Sequence, residues 1–251
     1  MKKILLALLF CTAAFGQTFF VSPCRTGTHL IIYSTQWMSG RYVYFWYPFG
    51  SGHPIIAPKE GFFKAPIDTS KPVILHTHYP RRHINSYSKE DNELFMTLRN
   101  PKEYLLRRAK EHFFEPEKIC DWIARPRIIN AYMEYIKFFE EWNPKKRHLV
   151  YYEDLMTNFE ETMGNLLTFL GEPKTARFDR YIKNRKFHND RLLTHYHKNQ
   201  GRGGGSMSKG QDISFHSKDI PQDILHKIDA HIQKHFPDYW ERYLKRYAEP
   251  K

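Results

Sequence analysis

Three cysteines in 251 residues, Cys11, Cys24 and Cys120, are too few and too widely spaced for a disulfide framework or a zinc pair. The 14 histidines do not replace them as metal ligands, because they are scattered and no His-Glu-x-x-His occurs. No metal is therefore expected. Long hydrophobic runs are also missing. The apolar stretch from Ile4 to Phe15 is about a dozen residues, short of the roughly 20 that a membrane-spanning helix needs. No basic block has aromatics interleaved as an RNA-binding RNP stretch would, which removes nucleic acid from the expected partners. No internal repeat is visible, so solenoids and propellers are excluded. The chain also lacks a Gly-Lys-Ser/Thr ending on its small-residue loop, and with it the ordinary nucleoside triphosphatase loop.

What is present is an ordinary globular composition with two emphases. Hydrophobic residues at 41% and charged residues at 26% suit a packed domain, and 16% aromatics suggest bulky cores or flat ligand-facing surfaces. One large α/β domain accounts for a chain of 251 residues. Lys and Arg number 39 against 27 acids, a formal charge of +12. Such an excess sets up a field that draws polyanions such as nucleotides and sulfated or acidic glycans.

The opening MKKILLALLFCTAAFGQ places two lysines before the apolar run and a small-x-small Ala14-Phe15-Gly16 before Gln17. That is the pattern of a secretory signal peptide. It divides the chain into a leader at 1–17 and a domain at 18–251, and predicts export to a secreted, periplasmic or lumenal location. Two alternatives stay open. One is a buried N-terminal element of a cytoplasmic protein; the other is an uncleaved leader acting as an anchor, the sole route by which a membrane would be involved.

Thr18-Phe19-Phe20-Val21 is a short strand-like run that ends in a small-residue loop, and Leu30-Ile31-Ile32-Tyr33 continues as helix. Strand, loop and helix in that order make phosphate-loop architecture. Arg41 to Lys71, with YVYFWYPFGSGHP inside it, has weak periodicity and reads either as irregular segments around a pocket mouth or as core plus turns. Further strands are expected at Pro72 to Leu75, Leu94 to Leu98 and His148 to Tyr152. Asn158 with Glu161 three residues on resembles a capping box, opening a helix that Gly171 ends. Arg125 to Trp142 carries Ile128, Ile129, Tyr132, Tyr135, Ile136 and Phe139 at helical spacing, and Ile220 to His235 is another amphipathic helix. The polar stretch from Arg185 to Gln211, with GRGGGSMSKG inside it, reads as a flexible loop. Helices between strands imply a parallel sheet. The expected class is α/β, a P-loop NTPase-like three-layer fold with a central parallel sheet.

In CRTGTH the turn residues Thr26, Gly27 and Thr28 can aim backbone N–H groups and hydroxyls at an anion held on a helix N-terminus, where the helix dipole adds to the attraction. Arg25 adds a permanent positive charge. Cys24 is not placed as a phosphatase nucleophile, since such a loop needs an arginine six positions on and the chain has Leu30 there.

The loop resembles the 5′-phosphosulfate loop of the sulfotransferases that use 3′-phosphoadenosine 5′-phosphosulfate (PAPS), which reads Pro-Lys/Arg-Ser/Thr-Gly-Thr after the first strand. Here it is Cys24-Arg25-Thr26-Gly27-Thr28, with Pro23 one place earlier. LRNPKEYLLRR, from Leu98, is similar to the family's 3′-phosphate segment, and implies that Arg99 grips that phosphate. Where the family usually has a serine eight residues later, the chain has Arg107, a charged donor of different reach. HTHYP looks like the family's Lys-Thr-His-x-Pro, which makes His78 the general base and puts His76 at the lysine position. VYYEDL implies Tyr152 near the adenine. SKG at Ser208 to Gly210 resembles the late Arg-Lys-Gly that closes over the nucleotide, with Lys209 and Gly210 carried over. These segments follow the family's order from Thr18 to about Ile224.

The resemblance implies transfer of a sulfuryl group from PAPS to a hydroxyl or amine. The donor would be held by Arg25, Thr26, Gly27, Thr28, His29, Arg99, Arg107, Tyr152, Lys209 and Gly210, with Arg25 also stabilising the leaving phosphate oxygen. The acceptor would be a glycan, lipid or other hydroxyl compound, approaching from the aromatic Tyr42 to Phe49 region. Plainer roles compete: a surface ion pair with Glu103 for Arg99, a hydrogen-bonded structural role for His78, core packing for Tyr152. At the level of function the competitors are a noncatalytic binder of anionic glycans or nucleotides that keeps the fold, and a small-molecule kinase, for which the lysine and the magnesium-binding pattern are missing.

Overall fold

Short apolar runs separated by amphipathic stretches fold here as strands and helices in alternation. The computed structural model describes residues 16–45, 60, 64–199 and 217–248. In chain order its main elements are β1 (Thr18–Val21), α1 (Thr28–Ser39), β2 (Val43–Phe45), β3 (Ile74–Thr77), α2 (Pro80–His83), β4 (Glu93–Leu98), α3 (Pro101–Ala109), α4 (Pro116–Ile123) and α5 (Pro126–Glu140). There follow β5 (Arg147–Tyr151), α6 (Tyr152–Thr157), α7 (Phe159–Phe169), α8 (Ala176–Lys183), α9 (Arg185–Asn199) and α10 (Gln222–His235).

The five strands form one sheet in the order β2-β3-β1-β4-β5. The pairings β2–β3, β3–β1 and β1–β4 are parallel, with Val21 opposite Thr77 on one side and Met96 on the other. This is the expected α/β class. The chain leaves β1 for the β2 edge and later crosses to β4, so β1 and β4 flank the point where strand order reverses. Ligands of open α/β sheets bind beyond the strand C-termini at such a point. The residues that follow those two ends are the Ser22 to Thr28 loop and Arg99.

The chain divides into two compact units. The first contains β1 with Ser22, Gly27–Thr97 and Phe138–Asn184. Its core is built outward from β1, where successive side chains point to opposite faces of the sheet. Phe20 stacks on Phe95 with ring centroids 4.5 Å apart, while Phe19 meets the edges of Tyr87 at 4.9 Å and Trp142 at 5.9 Å. Burial of each of the Phe19, Phe20 and Phe95 rings contributes about 1.5–3 kcal/mol of transfer free energy. The Trp142 indole N–H donates to the Asn92 carbonyl at 2.9 Å, satisfying its one polar group. Arg41, 3% exposed, is a buried cation that donates to the Pro72 carbonyl and Thr18 Oγ1, each at 3.0 Å. Burial pulls its pKa down, and the nearby carboxylates of Glu172 and Glu93 oppose that shift.

Three local features differ from sequence expectation. β2 falls inside the aromatic stretch expected to be irregular; its three residues are ordered by parallel pairing with β3, a tertiary effect with no local periodicity to betray it. β3 begins at Ile74, not Pro72, whose missing N–H keeps it off the ladder and whose carbonyl serves Arg41 instead. The stretch from Arg185 is not a loop: it is helical through Asn199 as α9, and only His188 and Leu192 of its described side chains are buried, too few to leave a readable stripe. The remainder of that expected loop, from 200 to 211, lies outside the described residues. The capping box before α7 does not form either: the Asn158 side chain donates to the Glu161 carboxylate and accepts no helix N–H, and only its carbonyl joins the helix, accepting from the Thr162 N–H at 3.0 Å. The other end closes as expected, Gly171 at φ +68° donating to the Thr168 carbonyl while Glu172 N–H reaches the Leu167 carbonyl at 2.8 Å.

The second unit contains Pro23–Thr26, Leu98–Lys137 and the chain from Arg185 onward. Tyr104 of α3 packs on Tyr132 of α5 at 4.6 Å, and Lys102 pairs with Asp229 of α10 at 2.8 Å, both side chains nearly buried. Among the described residues no helix is long and apolar enough to cross a membrane. The leader up to residue 15 lies outside them.

In the first unit Glu141 accepts from Arg81 at 2.6 Å and from Lys89 at 2.6 Å. These bonds, Arg81's first, hold its pKa down from 4.5 to about 2. A carboxyl depressed in the folded state adds stability above its unfolded pKa and loses it as pH falls toward the folded value. Glu141→Gln should therefore lower the unfolding free energy at pH 7 by about 1–2 kcal/mol, a figure discounted for partial exposure. The gap to wild type in urea titrations should close between pH 4.5 and about 2.

Candidate active site

In the first unit the ends of β1 and β3 come together around Ser22. Its N–H donates to the Thr77 carbonyl at 3.2 Å, extending the ladder one residue beyond β1. Its hydroxyl, fully buried, lies 2.8 Å from Thr28 Oγ1, 2.8 Å from His76 Nε2 and 3.3 Å from His78 Nδ1. His78 Nδ1 is also 2.6 Å from the Ser22 carbonyl oxygen. A carbonyl can only accept, so Nδ1 carries the proton and Nε2 is the basic nitrogen. The His76 and His78 rings meet edge to face at 4.7 Å. Burial pushes the His76 pKa well below its ordinary value, and His78 and His29 push the same way, so His76 is neutral at pH 7. At the position where the resemblance implies a lysine, this ring supplies a hydrogen bond and no charge.

Helix α1 begins directly after this loop. Gly27 is its N-cap at φ +83°, with no side-chain cap bond and no acid in the first turn. First-turn N–H groups have no intrahelical acceptor, and the dipole there favours an anion. Tyr152, first residue of α6, packs against the turn so closely that a Cβ on Gly27 would stand 2.7 Å from its Cδ2. Thr26 turns its hydroxyl back to the Pro23 carbonyl at 2.7 Å, so that proton shapes the loop and is not aimed at a ligand. Thr28 Oγ1 is likewise engaged with Ser22.

In the second unit Arg25 and Arg99 come together. Arg25 has φ +71°, the left-handed region that costs a non-glycine residue about 1–2 kcal/mol. Its carbonyl accepts from Arg99 Nη1 at 3.1 Å, and its Nε donates to the Glu111 carboxylate. The other Glu111 oxygen accepts from Arg108. Arg99 is only 7% exposed, and its own carbonyl accepts from the Tyr132 hydroxyl at 2.5 Å. Its Nη2 lies 3.5 Å from Glu103, so the pair suggested by their spacing exists, but on a buried arginine and not at the surface. Arg107, more exposed, approaches the same carboxylate at 3.8 Å. Burial pushes the Cys24 thiol up against the pull of Arg108, in keeping with a group that is no nucleophile.

Of the residues picked from sequence, the first unit holds Gly27, Thr28, His29, His76, His78 and Tyr152, and the second Arg25, Thr26, Arg99 and Arg107. Lys209, Gly210 and residues 46–49 of the aromatic Tyr42 to Phe49 stretch lie outside the described residues. A cavity of about 240 Å³ in the second unit lies at the start of α3, with Asn100, Lys102 and Glu103 facing Gln222 and Leu225 of α10, and is lined by none of the picked residues. Among the described residues no three His, Cys, Asp or Glu side chains gather as metal ligands. Two residues escaped sequence reading: Ser22, a polar residue just past an apolar strand and so visible in principle, and Glu111, which lies 86 residues beyond Arg25 and carries no local mark.

A model of the sulfotransferase domain matches residues 57–240. The chain belongs to the sulfotransferase domain family. The matched span takes in His76, His78, Arg99 and Tyr152 and begins after the Arg25 loop. Among solved structures, this sulfotransferase-family chain is similar to mouse sulfotransferase SULT7A1 complexed with PAP, with a TM-score of 0.58 and 12% identity over 92% of this chain and 88% of that one. At that identity the likeness speaks for the fold alone. The sulfotransferase domain from the curacin biosynthetic pathway aligns over 65% of this chain and 76% of its own, at 11% identity and a TM-score of 0.43. The Alicyclobacillus acidocaldarius sulfotransferase aligns over 72% and 96%, at 13% and 0.35. No curated protein matches the chain in sequence.

At Gly27 two penalties coincide, a positive φ and a Tyr152 ring 2.7 Å from where a Cβ would stand. Gly27→Ala should lower the unfolding free energy by about 1–2 kcal/mol from the backbone alone. Adding Tyr152→Ala should recover any excess beyond that, which thermal and urea unfolding of the single and double variants will read.

Proposed function

We propose that the protein transfers a sulfuryl group from PAPS to a hydroxyl or amine of its acceptor. The observation that carries this is the bond from His78 Nδ1 to the Ser22 carbonyl at 2.6 Å, which leaves Nε2 as a base beside an anion-binding loop. Sulfuryl transfer from a phosphosulfate builds negative charge on the bridging oxygen and asks for positioning and electrostatic help more than covalent participation. In this reading Arg25 stabilises that oxygen, and the first-turn N–H groups at Gly27, Thr28 and His29 hold the 5′-phosphosulfate. Nε2 of His78 takes the acceptor's proton as the S–O bond forms. Arg99 holds the 3′-phosphate, and the burial of its guanidinium supports that role, since charge-assisted bonds strengthen away from water. Arg107 is a rim contact, Tyr152 flanks the adenine, and Lys209 with Gly210 closes over the nucleotide. Family membership supports the reaction class, and the PAP named with the mouse structure supports the donor.

The acceptor class follows from the base: a hydroxyl or amine compound, glycans and lipids included. The leader at 1–17 would carry the protein out of the cytoplasm, so N-terminal sequencing of the purified mature chain should begin near Gln17 or Thr18. An intact Met1 would oppose export.

The decisive test is calorimetric titration with PAP. Wild type should bind, Arg99→Ala should bind about 10- to 100-fold more weakly, and ATP should not compete on equal terms. His78→Ala should keep PAP affinity while losing about 10²- to 10⁴-fold in turnover with PAPS against a panel of hydroxyl and amine acceptors. Folded protein that ignores PAP would instead point to a noncatalytic anion binder that keeps the fold.

A further inference from the structure

Glu111 has no part in the roles assigned so far, yet it bonds the side chain of the arginine on which the proposed chemistry turns. It is nearly buried, at the end of α3, with one carboxylate oxygen on Arg25 Nε and the other on Arg108 Nη1. We infer that Glu111 is the positioning residue for Arg25, fixing the orientation in which its guanidinium meets the donor; this rests on the reading of Arg25 as a ligand of the 5′-phosphosulfate.

The geometry argues as follows. An arginine side chain carries high rotamer entropy, and its planar fork is useful only when its orientation is set. Arg25 is held at both ends: its carbonyl by Arg99 Nη1 at 3.1 Å, its side chain by Glu111 through Nε. A carboxylate bound at Nε restrains the rotation of the guanidinium at the end of its chain, and so the direction in which it is presented. Arg108 on the second oxygen stops the carboxylate from swinging, so that the position of Arg25 is referred to α3, the same helix that follows Arg99. The charge pattern fits an organiser. Two guanidinium groups around one carboxylate keep a net positive charge, which still attracts an anion, while the repulsion between the two cations is relieved. Nothing in the sequence brings positions 25 and 111 together; the contact is made by the fold.

Glutamine at 111 is a sharp probe because it keeps the shape but offers a single acceptor oxygen, and its amide N–H groups would confront one of the two guanidinium groups. It cannot serve both arginines. The experiment is calorimetric titration of wild type, Glu111→Gln and Glu111→Asp with PAP and with adenosine 3′-monophosphate, which lacks the 5′-phosphate. The ratio of the two dissociation constants isolates the 5′-phosphate's share of binding. Glu111→Gln should shrink that ratio about tenfold while affinity for adenosine 3′-monophosphate, which reports on Arg99, stays within about twofold; Glu111→Asp should retain part of the ratio. An equal loss for both ligands would make Glu111 merely structural, and an unchanged or larger ratio, as from a carboxylate that competes with the donor for Arg25, would overturn the inference. Wild type that binds adenosine 3′-monophosphate but gains nothing from the 5′-phosphate, or binds neither, would instead remove the donor reading beneath it.

Discussion

Parallel strands bury both their faces, and here the constraint falls on two adjacent residues of the central strand. Phe19 and Phe20 point to opposite sides of β1, one into the edges of Tyr87 and Trp142, the other flat on Phe95. A shift of one residue in register would exchange these environments and leave each ring in the wrong company. Register thus fixed at β1 fixes Ser22, the next residue, opposite the end of β3, where the ladder continues to Thr77. The alternation of β3 then decides that His76 goes inward, against the Phe20 ring at 4.8 Å, while His78, two residues on and past the strand, bonds the Ser22 carbonyl. The tautomer of His78 is in this sense a consequence of core packing.

Charge is handled differently in the two units. In the first, the buried arginine Arg41 is spent on backbone carbonyls and Thr18, tying the start of β1 to the segment before β3. In the second, Arg25, Arg99 and Arg108 are gathered with Glu103 and Glu111 so that each guanidinium meets a carboxylate or a carbonyl. Burying several cations without such partners would be prohibitive. The overall charge of +12 therefore has a local counterpart, a cationic cluster with built-in acids.

Much of this was legible in the sequence where the signal was local. β1, β4, β5, α1, α5, α7 and α10 follow from apolar runs and helical spacing, and the loop after β1 from its small residues. Gly171 could be read as a helix stop because the left-handed closing turn needs a residue like it. β2 was not legible, because its three residues are strand only by virtue of β3 beside them. α9 was hidden by a polar composition, with two buried side chains among those described. At the site, Arg99 and His78 stood out because they follow strands, and His76 because it ends the apolar run of β3. The partners that set their chemistry did not, since Ser22 acts on His78 through a backbone carbonyl, which any residue type possesses, and Glu111 acts across 86 residues.

Arg25 sits where the backbone asks for glycine. At φ +71° its conformation is one that glycine adopts freely, and the side chain that causes the discomfort is the one held by Glu111. Local comfort and function are therefore opposed at this single position. Any effort to make the protein more heat-resistant by relaxing the backbone at this position would trade away the loop's arginine for a better-behaved turn.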